Sequence, residues 1–206
     1  MLKLWGRTSS INVRKVLWTL QALDVPFERV DAGLSFGVVK TPEYVAKNPN
    51  AMIPLLEDGD FSLWESNVIV RYLCSKYARG TLYPTSIEQQ FGAERWMDWQ
   101  QTTLNNASRD AFYQWIRVKP ELRNLALIAK SVEATEPLLQ IIDNQLIGRE
   151  YVVGDHLTMA DIPIACEIHR WWGLPQPRPA WVNIERWYTQ MMANPASRGV
   201  LDLPLA

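Results

Sequence analysis

The spacing of apolar residues changes once along this chain, near Tyr83-Pro84-Thr85, and that change limits what it can fold into. Before it, short alternating runs lie between helical repeats. After it, strand signals stop and long segments of helical period take over. A mixed α/β unit followed by an all-helical unit is the architecture such a switch implies. Residues 79–86 are the expected linker, with a first domain over residues 1–80 and a second over 87–206. A length of 206 residues is enough for two small domains.

The first unit reads in detail. Leu2–Trp5 alternates and ends at Gly6, as a short strand and turn would. Val13, Val16, Leu17, Leu20 and Leu23 then predict a helix from Ser10 or Ile11, stopped by Asp24-Val25-Pro26. Phe27–Val30 is a second strand. Residues 31–50 are irregular, with one helical turn around Glu43–Lys47. Next comes a turn and a strand interrupted by Pro54, which cannot donate to a sheet ladder. Glu57-Asp58-Gly59-Asp60 reads as a hairpin turn, Phe61–Trp64 as the return strand. Val68, Ile69, Tyr72 and Leu73 continue as a helix with Ser66 as its expected cap.

The second unit predicts helices over about Ile87–Val118 and Glu121–Leu146, the latter expected to kink at Pro137. Two more are expected, one from Thr158 and one over about Val182–Ala193. Thr158-Met159-Ala160-Asp161 has a hydroxyl at the cap and an acid three residues on, a capping-box pattern whose role is structural.

Composition excludes several classes. A net charge of −1 gives no reason to expect nucleic acid or an anionic membrane as partner. No apolar run approaches a membrane span, and Met1–Gly6 is too short and broken for a signal peptide. Two histidines and two distant cysteines form no metal-site spacing, so no metal is expected. Cys74 and Cys166 sit in apolar contexts that suit reduced, buried thiols. Cytoplasmic location is the expectation.

Three segments carry a resemblance. They are Ser10-Ile11-Asn12-Val13-Arg14-Lys15-Val16-Leu17; the pair Asn48–Leu56 and Leu63–Leu73; and Val153–Ile162. With Arg186-Trp187-Tyr188 they cover nearly the whole chain. In order and spacing they are similar to the cytosolic glutathione S-transferase family, closest to its serine-type theta and phi branches. The resemblance implies a thioredoxin-like first domain of order βαβαββα and an all-α second domain. It further implies a homodimer that conjugates the thiolate of glutathione, as co-substrate, to a small hydrophobic or anionic electrophile in detoxification.

The resemblance also implies roles. Ile53-Pro54 matches the family's cis-proline, which exposes the backbone of Ile53 to pair like a strand edge with the cysteinyl unit of glutathione. Ser66, at a helix start, matches the residue that receives the γ-glutamyl carboxylate, and Glu65 the acid that holds its ammonium. Lys40 matches a lysine that meets the glycyl carboxylate. Ser10 aligns with the catalytic serine, whose hydroxyl and helix start would lower a thiol pKa of about 8.5. Ser9, Thr8, Asn12 or a backbone amide are alternatives for the contact with sulfur. Ser10, Ser66 and Glu65 each also have a plain reading, as helix caps or a solvated acid. Two departures stand out: Met52 where many relatives have a polar residue, and Ala51 in place of a common glycine.

The electrophile site is expected along the helix after Ile87. Asn105, Arg109, Phe112, Tyr113 and Ile116 share a face by helical spacing, and Arg109 and Tyr113 are the expected substrate contacts. Competing readings are a non-catalytic interaction module of the same fold, or a glutathione-dependent isomerase, dehalogenase or peroxidase. No cysteine lies between Met1 and Leu73, which argues against thiol–disulfide chemistry through a protein cysteine.

Overall fold

The structure, a computed structural model, describes residues 1–206. The first unit contains β1 (Leu2–Trp5), α1 (Ile11–Ala22), β2 (Phe27–Val30), α2 (Pro42–Lys47), β3 (Leu55–Asp58), β4 (Phe61–Trp64) and α3 (Ser66–Tyr77). The strands form one sheet in the order β2-β1-β3-β4. β1 runs parallel to β2, while β3 is antiparallel to both β1 and β4. This is the expected βαβαββα arrangement. A right-handed crossover through α1 is the usual way to join parallel neighbours such as β1 and β2. Leu2 and Leu4 point inward beneath Val13, Val16 and Leu20 of α1, all buried.

The second unit opens with α4 (Ile87–Trp99), which runs on through a wide π turn (Gln100–Leu104), α5 (Asn105–Phe112) and another π turn (Tyr113–Arg117). The expected helix over 87–118 is therefore one continuous rod carrying two extra-wide turns. Then come α6 (Leu125–Gln145), α7 (Asp161–Trp172) and α8 (Val182–Ala193). α6 begins at Leu125, after the expected Glu121, because Pro120–Leu122 forms a separate 3-10 turn and Asn124 supplies the cap. It continues through Pro137.

The capping box at α7 is reciprocal. The Thr158 hydroxyl accepts from the Ala160 N–H, and the Asp161 carboxylate accepts from the Thr158 N–H at 3.0 Å. Asp161 also receives the Val152 N–H and the Trp187 indole N–H, so this fully buried acid ties three segments together. α7 lies at the centre of the second unit and packs on α1 of the first. The core is consequently continuous across the two units. No helix is long and apolar enough to cross a membrane.

Candidate functional site

Two clefts flank the start of α1. The first, of about 260 Å³, lies between Asn12 of α1, the Ile53–Pro54 segment and the start of α3. The Ile53–Pro54 bond is cis. The ladder of β3 begins only at Leu55, so the main chain of Ile53 stands outside the sheet and lines the cleft. The Met52 carbonyl on the other side is held by the Tyr44 hydroxyl at 2.7 Å and the Asn48 amide at 2.8 Å. Ala51 has φ +52°, in the left-handed region that glycine enters freely, which is where the sequence departs from the family's glycine.

Glu65 and Ser66 form the opposite wall. Glu65 is exposed and holds φ +71°, a strained conformation for a non-glycine residue of the kind that collects at ligand sites. Glu65 is thus the cap position of α3 and Ser66 its first helical residue, a correction to the expectation that Ser66 caps. No side chain caps this helix, so its first N–H groups are left to the cleft, where they attract an anion. Ser66 is 2% exposed, and its hydroxyl donates to Oδ1 of Asn12 at 3.2 Å. Asn12 is therefore joined to the α3 start. Lys40 is exposed and does not line the cleft.

The second cleft, about 120 Å³, is lined by residues of 7–14, the end of the α5 rod, α7 and Leu205-Ala206. Ser9 and Ser10 line it. Ser10 sits at the cap position of α1, yet its hydroxyl makes no capping bond and is free to donate elsewhere. Four guanidiniums, from Arg7, Arg14, Arg117 and Arg170, line the same small space. Arg170 is bound to Glu167, Asn105 at 2.8 Å and Ser108 at 3.0 Å. Arg14 donates to the main-chain oxygens of Thr8 at 2.7 Å, Leu203 at 3.2 Å and Pro204 at 2.7 Å. Phe112 lies beneath Arg117 and Arg170, with ring centroids 5.8 and 5.0 Å from the two guanidinium carbons.

Sequence spacing expected Arg109 and Tyr113 here. Both are exposed and line neither cleft. The π turn that begins at Tyr113 adds a residue to the turn, so Phe112 faces the pocket with Arg117, five residues on. A reading at 3.6 residues per turn does not foresee that register.

A buried polar network runs between the clefts. The fully buried Lys15 amine donates to Gln100 Oε1 at 2.8 Å and Gln101 Oε1 at 3.0 Å. Gln100 in turn donates to Glu167 at 2.9 Å, and Ser108 donates to the same carboxylate at 2.6 Å. Burial pulls the Lys15 pKa down to about 8 against the opposing pull of Glu167. Burial pushes the thiols of Cys74 and Cys166 up to about 12, so both stay protonated at neutral pH. Neither the arginine cluster nor Lys15 was foreseen. The available signals were Arg7 beside the Thr8–Ser10 turn and the charged pair Arg14-Lys15 inside an apolar helical repeat.

A mixed sheet with an exposed cis-proline edge, opened against a helical unit, defines a two-domain protein of thioredoxin-like type with a site for a small peptide-like ligand. Residues 1–75 match the model described as Glutathione S-transferase, N-terminal domain, and residues 110–195 the C-terminal domain of the same family. The chain is 39% identical to the glutathione S-transferase GstB of Escherichia coli over the whole of both chains. It is 31% identical to glutathione S-transferase 3 of Zea mays, covering 99% of this chain and 95% of that one. The solved theta class glutathione S-transferase of Xanthomonas axonopodis pv. citri with glutathione bound superposes with a TM-score of 0.95 and 37% identity, covering 100% and 99%. The chain belongs to the glutathione S-transferase family.

Proposed function

We propose that this protein holds glutathione in the cleft at Ser66 and passes its thiolate to a small electrophile in the adjoining pocket at Ser10. As a member of its family the chain is a glutathione transferase. The observation that carries the reading is the first cleft itself: an unpaired main-chain edge at Ile53 faces a helix start with no side-chain cap. An extended peptide with a carboxylate at one end fits both features.

In this assignment the α3 start and Ser66 receive the γ-glutamyl carboxylate, and Glu65 holds the glutamyl ammonium. Ile53 pairs with the cysteinyl unit, and Lys40 reaches the glycyl carboxylate from the rim. Asn12 positions Ser66 and borders the sulfur. Ser10 donates to the sulfur, with Ser9, Thr8 and Asn12 as alternatives. Phe112 and Arg117 take the substrate-facing role that spacing had given to Arg109 and Tyr113. The reaction forms a carbon–sulfur bond as the leaving group departs with its electron pair; the thiol proton has already passed to solvent. Residues 1–80 form the glutathione-holding domain and 87–206 the electrophile domain.

A homodimer, a cytoplasmic location and a detoxifying role belong to the same proposal. Exposed Phe61, Trp64, Val68 and Phe91, on β4, α3 and α4, supply apolar surface for a two-fold interface. Light scattering is expected to give twice the 23.7 kDa chain mass.

Calorimetry with glutathione tests the central claim. Binding between micromolar and millimolar Kd is expected, weakened about ten-fold by Ser66→Ala through loss of a hydrogen bond to a charged group. No heat at about ten millimolar, well above the concentration that a −4 kcal/mol binder needs, sinks the reading in favour of a non-catalytic module.

A further inference from the structure

Lys15 is a fully buried cation that the transfer reaction does not use, and its two bonds lead to different ends. The amine donates to Gln100 Oε1 at 2.8 Å and to Gln101 Oε1 at 3.0 Å. An ammonium donates and cannot accept, so both amides turn their oxygens to it and their N–H₂ groups away. The Gln100 N–H₂ ends on a carboxylate inside the protein, Glu167 at 2.9 Å. The Gln101 N–H₂ finds no acceptor in the protein, and Gln101 lines the first cleft with Asn12, Glu65 and Ser66. Two amide relays thus start from one cation. One closes on a carboxylate, and its twin opens into the cleft assigned to glutathione.

The helix is shaped to hold this pair. Gln100 and Gln101 are adjacent, and neighbours along a regular helix diverge rather than face one partner. Here they open the π turn Gln100–Leu104, a widening of the kind that recurs at functional sites. The charge at the root of the relays is largely present at pH 7. Burial draws the Lys15 pKa down only to about 8, with Glu167 and, from the cleft wall, Glu65 among the groups that oppose the fall. An ammonium bound to an amide oxygen polarises that amide and strengthens its N–H as a donor. Gln101 therefore offers the cleft a donor with a positive charge behind it, and such a donor favours an anionic acceptor.

We propose that Lys15 is a positioning residue for glutathione, turning Gln101 so that its N–H₂ donates to the γ-glutamyl carboxylate beside Ser66. The inference rests on the assignment of glutathione to this cleft. The α3 start and Ser66 supply donors from the sheet unit, and Gln101 supplies one from the helical unit. Lys15 does not touch the ligand. By occupying the amide oxygen it leaves only the donor end of Gln101 to the cleft, so the amide cannot flip and set its oxygen against the carboxylate.

The test compares glutathione with the analogue that carries 4-aminobutyryl in place of γ-glutamyl and so lacks only that carboxylate. Calorimetry gives both Kd values. Wild type is expected to prefer glutathione about hundred-fold, because the analogue leaves the donors of the site unpaired. Gln101→Leu is expected to cut that preference about ten-fold, weakening glutathione and leaving the analogue unchanged. In turnover the loss should appear as a raised KM for glutathione, with kcat within about two-fold of wild type. Lys15→Met is expected to cut the preference about ten-fold although it contacts no ligand. Lys15→Gln keeps an N–H₂ for the amide oxygens without the charge; it is expected to fall between, and it reads the same quantity if Lys15→Met does not fold. The preference is a ratio, so a loss of folded fraction cancels. A preference unchanged in Gln101→Leu, or unchanged in a folded Lys15 variant, overturns the proposal. So does a Gln101→Leu that weakens both compounds equally, or a wild type that binds both alike. Absence of glutathione binding to wild type removes the glutathione reading itself.

Discussion

Asn12 and Ser10 lie two residues apart at the start of α1, yet they face clefts of opposite make. On the Asn12 side the walls are amides, one hydroxyl, main-chain edges and the single carboxylate of Glu65. On the Ser10 side they are guanidiniums and aromatic faces. Directed dipoles, backbone geometry and one carboxylate suit a ligand whose shape is constant, because hydrogen-bond directions recognise one peptide-like outline. Charge and ring faces suit a ligand recognised by sign and size. A transferase needs both, side by side: a fixed holder for one substrate and a selective chamber for another. The difference teaches that the two halves of the site are separable, and that each can be perturbed while the other is read.

They also differed in how far the sequence disclosed them. The first cleft comes mostly from near-contiguous stretches, Asn48–Pro54 and Trp64–Ser66, with one helix start contributing Asn12 and the helical unit contributing only Gln101. Each stretch has a local signal: a proline inside a strand, or a serine before a helical repeat. The second pocket draws Arg7, Arg14, Phe112, Arg117, Arg170 and Leu205 from five places, and no local pattern marks them as neighbours. A π turn decides which of these faces inward, and propensity carries no clear mark of such a turn. The fold was legible for a related reason. Strand order, the change of period near residue 83 and the capping box at Thr158 are local features. The left-handed backbone at Glu65 was not, because nothing in Trp64-Glu65-Ser66 favours a positive φ.

The largest expected effect lies in the network between the clefts. Lys15→Met removes the amine that satisfies Gln100 and Gln101 and faces Glu167, and should destabilise the fold by about 3 kcal/mol at pH 7. Chemical denaturation measures this. The pH dependence sharpens it. The folded pKa of Lys15, about 8, lies below its ordinary 10.5, so folding disfavours the proton there. That cost is fully present below pH 8 and is relieved as pH climbs toward 10.5. In this window wild type should gain on Lys15→Met by about 1 kcal/mol per pH unit. The cysteine thiols, pushed up to about 12, erode stability from pH 9 upward, but they do so in both proteins and largely cancel in the difference. A flat difference curve would show that the amine is not held near pH 8.

Ser10→Ala comes next and tests the separability directly. A lost donor to a charged sulfur costs about 1.5–3 kcal/mol. The pKa of bound glutathione should therefore rise by about one to two units. Its affinity should barely move, since Ser66, Glu65 and Ile53 lie in the other cleft. Thiolate absorbance against pH gives the first quantity and calorimetry the second. A fall in affinity equal to the rise in pKa would join the two clefts into one site. An unchanged titration would move the sulfur contact to Ser9, Thr8, Asn12 or a backbone amide.

The smallest effect belongs to Arg109, and it separates an enclosed chamber from an open face. Arg109 lies on the same rod as Arg117, eight residues earlier, and carries the same charge; both are exposed, but Arg117 lines the second cleft and Arg109 lines neither. An exposed charge in water is weakened by high dielectric and by salt, whose screening length is about 8 Å at physiological ionic strength. A surface substitution away from buried features changes free energies by no more than about 0.5 kcal/mol. Arg109→Ala should accordingly shift kcat/KM for conjugation of glutathione to a small electrophile less than about two-fold. Raising salt should shrink even that small effect. If Arg109→Ala lowers kcat/KM ten-fold or more, the electrophile is held on the open face of α5. The expectation that helical spacing placed on Arg109 and Tyr113 would then hold, and the enclosed pocket would be a structural feature of the Arg14 and Arg170 contacts.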